Sequence, residues 1–401
     1  MNELFENSAP YASAVCYLAA LVGSAYALFA IWAARAFVRA QRPVPQAAYP
    51  PVTILKPLHG AEPDLYANLA SFCRQDYPAP LQVVFGLSDP GDPAAAIVRK
   101  LIADFPQADL ELVINARRHG ANAKVSNLIN MQTAARHDMI VIADSDIAVS
   151  PDYLGNVAAS LSQLDAGQPG IGHPGVGIVT CLYRGAAARG LWSRIAAAGI
   201  DYQFLPNALV GLKLGLATPC FGSTIALTRT TLAKIGGLQS VADQLADDYE
   251  LGMAVRRVGL AVIIPPFIVT HVCAERSLRE LLLHEIRWAR TIRAVDPLGF
   301  AGLAVTYAVP LALIGLALGG LTPAALVVAV ALLCRFVLQA ELHRLFELGT
   351  VWNLLWLGPI RDVLSFVVFV ASFFGRRVEW RGHRYGVRAD SRLTRYGEAE
   401  S

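Results

Sequence analysis

Paired acidic residues stand where a predicted strand gives way to a loop. Asp144 and Asp146 directly follow the apolar run 139–143, so a strand end would project both carboxylates into a cleft. Two carboxylates at alternate positions of an extended segment can hold one divalent cation, because Mg²⁺ takes one or two carboxylates together with phosphate oxygens. The spacing predicts a Mg²⁺ or Mn²⁺ site that neutralises a departing diphosphate, and an acidic surface turn is the alternative.

Two further sites have residue types that suit a nucleotide. Asp89 and Asp92 follow the apolar run 81–87, where a carboxylate can accept hydrogen bonds from a uracil or a ribose. Turn and helix-cap chemistry is the alternative for this Asp/Pro/Gly composition. Lys124 and Asn127 open a predicted helix, and a helix N-terminus with a lysine can hold a phosphate. A solvent-exposed lysine is the alternative there.

Asp247 and Asp248 differ from these, because they enter a predicted helix rather than leave a strand. Either residue can cap that helix. A carboxylate there can also act as a general base that deprotonates an acceptor hydroxyl. The sequence predicts Asp248, with Asp247 beside it, as the catalytic carboxylate.

The segment His284-Glu285-Ile286-Arg287-Trp288 precedes a long apolar run. His284 and Arg287 are spaced i and i+3, so both face one side of a helix. Arginine offers a planar fork to diphosphate oxygens, and Trp288 offers a flat wall to a sugar or nucleotide. The alternative is an interfacial amphipathic helix with its Trp and Arg at the lipid headgroups, as we expect for Arg290 and Arg293.

The elements that position these residues are short apolar runs alternating with helical stretches. The runs at 52–55, 81–87, 110–114 and 139–143 are each followed by turn or capping residues. This rhythm predicts an α/β fold with a mostly parallel sheet covered by helices. In such sheets the ligand lies beyond the carboxyl ends of the strands, where Asp89 and Asp144 fall.

The composition places part of the chain in lipid. Of the 401 residues 55% are hydrophobic and 16% charged, which is unusual for a soluble protein. No charged residue occurs at 8–34, which is long enough to cross a bilayer, so we predict an anchor helix at 8–36. A cleaved signal peptide is the alternative, but Glu3 and Glu6 replace the basic residues that such signals carry.

Arginines directly after this helix, Arg35, Arg39 and Arg42, predict that the following domain lies in the cytosol. The six cysteines show no metal-ligand spacing and suit reduced thiols. A net charge of +3 does not indicate a nucleic-acid partner. We expect a multi-pass protein of a bacterial inner membrane, with a cytosolic catalytic domain at 51–296 that follows a stiff linker at 43–51.

After Pro297 the chain is apolar again, and we predict C-terminal membrane helices at 298–375. Spans are expected at 299–318 and 323–336, joined by a turn at 319–322. The segment 351–375 contains Pro359, Arg361 and Asp362. It predicts either a straight span or a re-entrant hairpin, and the hairpin is favoured because it keeps the basic tail at 376–401 in the cytosol. That tail suits anionic lipid headgroups or is simply solvated.

The order of these motifs resembles the ceramide glucosyltransferase family, glycosyltransferase family 21. That family has a GT-A (Rossmann-like) fold and three aspartates followed by (Q/R)xxRW, and the resemblance runs from about Val52 to Trp288. It implies nucleotide binding by Asp92 or Asp89, metal and diphosphate binding by Asp144, base catalysis by Asp248, and diphosphate binding by Arg287 and Trp288. His284 departs from the usual Gln or Arg, although imidazole can still donate a hydrogen bond.

The resemblance implies an inverting enzyme that transfers a hexose from a UDP-sugar to a hydroxyl of a membrane lipid. A hopanoid-associated N-acetylglucosaminyltransferase acting on a bacteriohopanepolyol is an alternative, and so is a processive polysaccharide synthase, which needs more spans. A transporter or scaffold would need no strand-end aspartates. Segment 201–216 is expected either to lie in the membrane interface near the acceptor or to be a buried helix.

Overall fold

Helices and short strands alternate along this computed structural model, which describes residues 2–40, 49–162, 175–217, 219–319, 324–348, 357–375, 377–380, 383–387 and 393–395. The helices are α1 (Asn2–Arg39), α2 (Leu65–Cys73), α3 (Ala94–Asp104), α4 (Ala123–Gln132), α5 (Tyr153–Ser162), α6 (Gly190–Gly199), α7 (Leu205–Lys213), α8 (Arg229–Lys234), α9 (Asp247–Arg257), α10 (Leu278–Val295), α11 (Pro297–Gly302), α12 (Ala308–Gly319), α13 (Ala324–Phe346) and α14 (Leu357–Ser372). The strands are β1 (Val52–Pro57), β2 (Leu81–Leu87), β3 (Asp109–Ile114), β4 (Met139–Ile142), β5 (Ile147–Ala148), β6 (Val176–Thr180), β7 (Leu182–Ala187), β8 (Ile225–Thr228), β9 (Ala261–Ile263), β10 (Ile268–Cys273), β11 (Arg377–Trp380), β12 (His383–Val387) and β13 (Leu393–Arg395). A π-helical turn covers Ile200–Phe204, and 3₁₀ turns cover Leu238–Val241 and Leu303–Thr306.

The chain divides into two units, each assembled from separate stretches of sequence. The helical unit comprises Met1–Arg39, Arg189–Ala217 and Glu275–Glu379. The sheet unit comprises Ala40–Ala188, Thr218–Ala274 and Trp380–Ser401. The predicted domain at 51–296 is continuous in sequence, whereas two stretches within it belong to the helical unit.

Seven strands form the central sheet of the sheet unit, in the order β3-β2-β1-β4-β8-β6-β9. The first four are parallel, β8 is antiparallel to both β4 and β6, and β9 is parallel to β6. The predicted strands and the mostly parallel sheet are confirmed. The carboxyl ends of β1, β2 and β4 therefore lie along one edge, where α/β sheets bind ligands.

Apolar side chains cover both faces of this sheet. Val52 and Ile54 of β1 pack on one face with Leu65 of α2, and Leu55 packs on the other with Leu128 of α4. A strand covered on both faces has a continuous apolar sequence, which explains the uninterrupted apolar run of β4 and the mostly apolar sequence of β1. A second sheet, β5-β10-β7, pairs β10 antiparallel with β5 and parallel with β7.

Two helices of the helical unit, Pro10–Arg39 within α1 and Ala324–Phe346, are long and apolar enough to cross a membrane. The residues Pro297–Thr306 and α12 form a pair bent by 65°. The predicted span at 299–318 is therefore broken at Tyr307. The 12 residues of α12 are about 18 Å long, short of a hydrocarbon core of about 30 Å, so α12 alone cannot span it.

The last apolar segment, α14, is one uninterrupted helix, not the two arms of a hairpin, within the described residues 357–375. Arg361 and Asp362 do not break it, because Arg361 pairs with Glu285 and Asp362 with Arg335. Segment 201–216 is mostly the buried-helix alternative, since Tyr202, Leu205 and Leu209 are buried, although Leu216 is exposed. Residues 43–48 of the linker, 320–322 of the turn, 351–356 of the last segment and most of the tail lie outside the described residues.

Candidate active site

Lys124 joins two acidic segments of the sheet unit that are far apart in sequence. Its ammonium lies 2.7 Å from Asp144 Oδ1 and 3.3 Å from Asp247 Oδ2. Lys124 is buried, so the exposed-lysine alternative is excluded. Burial lowers the pKa of Lys124, but the carboxylates of Asp144, Asp247 and Asp248 outweigh it and hold that pKa above its ordinary value. The ammonium is therefore a fixed positive charge between the two predicted functional segments.

Asn122 fixes the backbone that presents Lys124. Its side-chain oxygen accepts hydrogen bonds from the N–H groups of Lys124 (2.9 Å) and Val125 (3.1 Å), which caps α4. Its amide donates to the Gln244 carbonyl (2.8 Å) and to Asp247 Oδ1 (3.3 Å). One side chain thus ties the start of α4 to the start of α9.

Asp248 begins α9 beside Asp247, and backbone donors hold its carboxylate. Gly222 N donates to Oδ2 (2.9 Å) and Tyr249 N to Oδ1 (2.8 Å). Burial and the neighbouring Asp247 raise the pKa of Asp248 to about 6, while Lys124 opposes the rise. A carboxylate that titrates near neutral pH is suited to accept a proton from a hydroxyl.

Gly222 lies against these groups, with little space for a side chain. A Cβ at this position would lie 2.6 Å from Asp144 Oδ2 and 3.2 Å from Lys124 Nζ. The Gly222 carbonyl also accepts a hydrogen bond from Asp144 N (3.3 Å). The loop before β8 therefore holds Asp144 and Asp248 at once.

Lys56, near the end of β1, supports the Asp144 loop. Its Nζ donates to the Asp144 carbonyl (2.5 Å) and lies 3.8 Å from the centroid of the Phe72 ring. Burial lowers the pKa of Lys56 to about 7, while Asp146 and Asp144 oppose the change. Since Lys56 is fully buried, it positions the loop and does not contact a ligand directly.

Asp146 lies beside β10. Its carbonyl accepts from Val272 N (2.7 Å), and its Oδ1 lies 3.7 Å from His271 Nδ1. That carboxylate oxygen is buried without a hydrogen-bond partner among the described residues. Buried polar atoms normally have partners, so an unpartnered one indicates a missing ligand or water.

The donor set fits a divalent cation held mainly by phosphate. Asp144 and Asp146 supply carboxylate oxygens, Asp146 Oδ1 is unpartnered, and the His271 imidazole is a further suitable ligand type. Within the described residues no group of three or more His, Cys, Asp or Glu converges to enclose an ion. The remaining ligands must therefore come from a diphosphate or from water, as Mg²⁺ and Mn²⁺ sites of this kind allow.

Asp89 and Asp92 both make the turn contacts of the alternative interpretation. Asp89 is exposed, and its Oδ1 accepts from Gly91 N (2.9 Å). Both oxygens of the buried Asp92 accept from Gly60 N (3.0 and 2.9 Å), and its Oδ1 also accepts from Ala94 N (2.9 Å). These bonds use Asp92 to join the loop after β1 to the start of α3, so Asp89 is the better placed to contact a nucleotide.

Asn127 makes a structural contact, and its predicted role toward a ligand stays a prediction. It is buried, and its amide donates to the Gly86 carbonyl (2.8 Å). A Cβ at Gly86 would lie 2.5 Å from Asn127 Oδ1, so α4 and β2 are in close contact here. Asn127 positions α4 against the sheet.

His284, Arg287 and Trp288 lie on α10 in the helical unit and are half-buried. His284 Nδ1 lies 2.7 Å from Glu275 Oε1, and the His284 and Trp288 ring centroids are 4.4 Å apart in an edge-on arrangement. A carboxylate on one ring nitrogen selects the Nδ1–H form and orients the other nitrogen. Arg290 and Arg293 donate to the carbonyls of Phe374 and Gly375, just after α14, and their expected place at the lipid headgroups stays a prediction.

Sequence reasoning missed residues that act through other residues. Lys56, Asn122, Gly222, His271 and Glu275 stand in no motif, and each lies at an element boundary or in an apolar run. A charged or amide residue in an otherwise apolar strand end, as with Lys56 and His271, is the signal that could have found two of them.

The family described as Glycosyl transferase family 21 matches residues 15–393 of the chain. "Ceramide glucosyltransferase 1" of Caenorhabditis elegans is 26% identical over 220 residues, which cover 55% of this chain and 45% of that protein. The "Ceramide glucosyltransferase" of Candida albicans is 35% identical over 125 residues, 28% of this chain and 23% of that protein. The chain thus spans about half the length of these relatives or less.

Among solved structures, the chain is similar to the mannosyltransferase PcManGT from Pyrobaculum calidifontis, in complex with GDP-Man and Mn²⁺. The two share 21% identity with a TM-score of 0.50, over 90% of this chain and 99% of the other. This similarity supports the predicted GT-A fold, and we draw no substrate from it.

Proposed function

Because this chain belongs to glycosyl transferase family 21, we propose that it transfers a hexose from a UDP-sugar to a hydroxyl of a membrane lipid, with inversion. The observation that carries the proposal is the position of Lys124 between Asp144 and Asp247. Through this contact the proposed cation-binding segment at Asp144 lies beside the segment that carries the proposed general base, Asp248. A scaffold or transporter would not need this buried arrangement of a lysine between two acidic segments.

The donor half of the site would use residues at the strand ends. Asp89 would bind the nucleoside, and Asp144 and Asp146 would hold the divalent cation, whose charge would neutralise that of the leaving diphosphate. Lys124 keeps Asp144 in place and adds a fixed positive charge to this site. From the resemblance we assign the diphosphate contacts of the helical unit to Arg287 and Trp288, with His284 as a further hydrogen-bonding group.

Asp248 is the proposed general base. In a single displacement the acceptor oxygen forms a bond to the anomeric carbon while the bond to the diphosphate breaks. The hydroxyl proton moves to the Asp248 carboxylate, and the diphosphate leaves with the bonding electrons. The hydrogen bonds from Gly222 and Tyr249 fix the carboxylate, so no reorganisation is needed at that moment.

The membrane orientation follows from the basic ends of two helices. Arg35 of α1 pairs with Glu341 of α13, and Phe37 and Phe346 lie beside one another with ring centroids 6.3 Å apart. The carboxyl ends of both candidate spans therefore lie together, and Arg39 and Arg344 add positive charge there. By the positive-inside rule we place this end, and the sheet unit, in the cytosol of a bacterial inner membrane.

The test is transfer of radiolabelled sugar from UDP-glucose and UDP-N-acetylglucosamine by purified protein. Ceramide and bacteriohopanepolyol, each supplied in vesicles, distinguish the two acceptor classes. Label in the organic phase supports the proposal, label in water-soluble polymer indicates a polysaccharide synthase, and no transfer with either donor contradicts the proposal. Asp144→Ala should abolish transfer, whereas Asp104→Ala, which removes an exposed carboxylate of α3, should not.

Chelation tests the cation separately. Dialysis against EDTA should remove activity, and added Mg²⁺ or Mn²⁺ should restore it. Full activity after exhaustive chelation would contradict the assignment of Asp144 and Asp146.

A further inference from the structure

Two buried ion pairs lie within the helical unit. Glu285 Oε1 of α10 is 2.7 Å from Arg361 Nη2 of α14, with the two side chains 14% and 6% exposed. Arg335 of α13 pairs with Asp362, the next residue of α14, and also donates to Gln203 Oε1 (3.2 Å). Arg335 belongs to a helix apolar enough to cross a membrane. Ionisable groups in such segments are rare and have a functional reason by default.

Stability alone does not explain these pairs. Removing two charges from water costs free energy that their attraction seldom restores, and well-packed apolar residues are often at least as stable. The geometry here is also incomplete, since Arg361 Nε, Arg361 Nη1 and Arg335 Nε have no hydrogen-bond partner among the described residues. A buried ion pair is best known for specifying one register between packed helices.

Helix α10 needs a contact that fixes its register against α14. Its packing against α14 is apolar, with Ala289, Phe300, Tyr307, Val368 and Phe369 in one cluster. Apolar contact is non-directional, so it permits rotation and sliding of a helix. Positions 282, 286 and 289, which pack in this cluster, share one side of α10 with 285, whereas 284, 287 and 288 are offset from it around the helix. The rotation of α10 about its axis thus decides where Arg287 and Trp288 point.

The surroundings of Arg361 are built to hold one orientation. A Cβ at Gly199 of α6 would lie 2.4 Å from Arg361 Nη2, so any larger residue there would force the guanidinium to shift. Asp362 is held by Arg335 on the α13 side of α14. At the far end, Arg290 and Arg293 donate to the carbonyls of Phe374 (2.6 Å) and Gly375 (3.0 Å).

We propose that Glu285 and Arg361 are positioning residues, which set the rotation of α10 and thereby hold Arg287 and Trp288 in register for the donor diphosphate. This inference rests on the proposed function for the role of Arg287 and Trp288. It adds that the C-terminal apolar helix α14 contributes to the donor affinity.

The test replaces the pair by apolar residues of similar size, Glu285→Leu with Arg361→Met. The control is Asp109→Leu with Arg136→Met, which removes an exposed ion pair of the sheet unit. Size-exclusion chromatography in detergent reports whether each protein is folded, and KM for the UDP-sugar and kcat are measured at saturating lipid. We expect a monodisperse protein with KM raised at least tenfold, a smaller change in kcat, and a control like the wild type.

A double-mutant cycle shows whether the effect passes through Arg287. Arg287→Ala should raise KM strongly in the wild type but by less than threefold in the apolar-pair background, because α10 is already out of register. Full additivity, or a folded apolar-pair variant with wild-type KM, overturns the proposal. If that variant does not fold, the exchange Glu285→Arg with Arg361→Glu replaces it: wild-type KM in the folded exchange supports the proposal. A KM still raised tenfold, or an exchange that also fails to fold, overturns it.

The experiments distinguish failure of the proposed function from failure of the positioning role. A wild-type protein that transfers no sugar under any condition contradicts the proposed function itself. A wild-type protein that transfers normally, with an apolar-pair variant of unchanged KM, contradicts only the role of Glu285 and Arg361.

Discussion

Four charged side chains share one small region of the sheet unit: Lys124 with Asp144, Asp247 and Asp248. The ammonium is within ion-pair distance of Asp144 and Asp247, while Asp248 is held by backbone N–H groups instead. This difference separates their roles. Asp144 and Asp247 are neutralised by a neighbour, whereas Asp248 keeps a pKa high enough to exchange a proton.

Asp248→Asn tests the base assignment. The amide keeps the size and can still accept one of the two backbone hydrogen bonds, but it cannot take a proton. We expect the transfer rate at saturating donor to fall by roughly 10²–10⁴ with UDP affinity little changed. Arg287→Lys should do the reverse and weaken UDP-sugar binding, because a point charge replaces a planar fork. Should Asp248→Asn lose UDP binding and keep its turnover, Asp247 or His284 becomes the better candidate for the base.

The pKa of Asp248, about 6, predicts a pH dependence. The reactive form is the ionised carboxylate, so kcat should fall about tenfold per pH unit below 6 and be constant above it. The measurement is a profile of kcat against pH at saturating substrates in the wild type and in Asp248→Asn. The acid limb should be absent in the variant; a limb of equal slope there would assign the titration to another group.

At the scale of elements, the loop before β8 contacts both proposed catalytic segments, since Gly222 hydrogen-bonds to Asp144 and to Asp248. Gly222→Ala tests it, since the added methyl would lie 2.6 Å from Asp144 Oδ2 and must displace that carboxylate or Lys124. We expect at least a tenfold loss of transfer, about 1.4 kcal/mol in the barrier, with a melting temperature close to the wild type. Gly155→Ala is the matched control, because its methyl meets only Tyr49 atoms at 3.9 Å. Equal activity of the two variants would show that the close approach of Gly222 to Asp144 is not needed for transfer.

Helix α10 both packs against neighbouring helices and carries the motif residues. One side packs against apolar residues and Arg361, and the offset positions carry His284, Arg287 and Trp288. Glu275 fixes the His284 ring at Nδ1. The motif is therefore supported by residues on other elements, and its spacing alone does not define its orientation.

At the scale of the whole molecule, the prediction concerns membrane orientation. Ser88 lies in an exposed turn of the sheet unit, directly after β2. In a background lacking native cysteines, Ser88→Cys should resist a membrane-impermeant thiol reagent in intact cells and react after lysis, because the arginines after α1 place this unit in the cytosol. Labelling in intact cells would place the sheet unit on the outer side.

The sequence by itself determined the elements and their order. Strands β1 to β4 lie within two residues of the predicted runs, because strands buried on both faces, as β1, β2 and β4 are, need a mostly apolar sequence. It also located Asp144, Asp146, Asp247 and Asp248, since a strand end or a helix start is a local feature. The candidate span within α1 was also predictable, because residues 8–34 carry no charge.

Only the tertiary structure decided which of these groups meet. The contact of Lys124 with Asp247, the hydrogen bonds that use Asp92 and Asn127 internally, and the pairing of Arg361 with Glu285 join residues far apart in sequence. Hydrophobic periodicity records the burial of each position against its near neighbours, whereas an ion pair depends on two side chains that the fold alone brings together. For the same reason the charges of α14 were visible in the sequence, whereas their partners Glu285 and Arg335 were not.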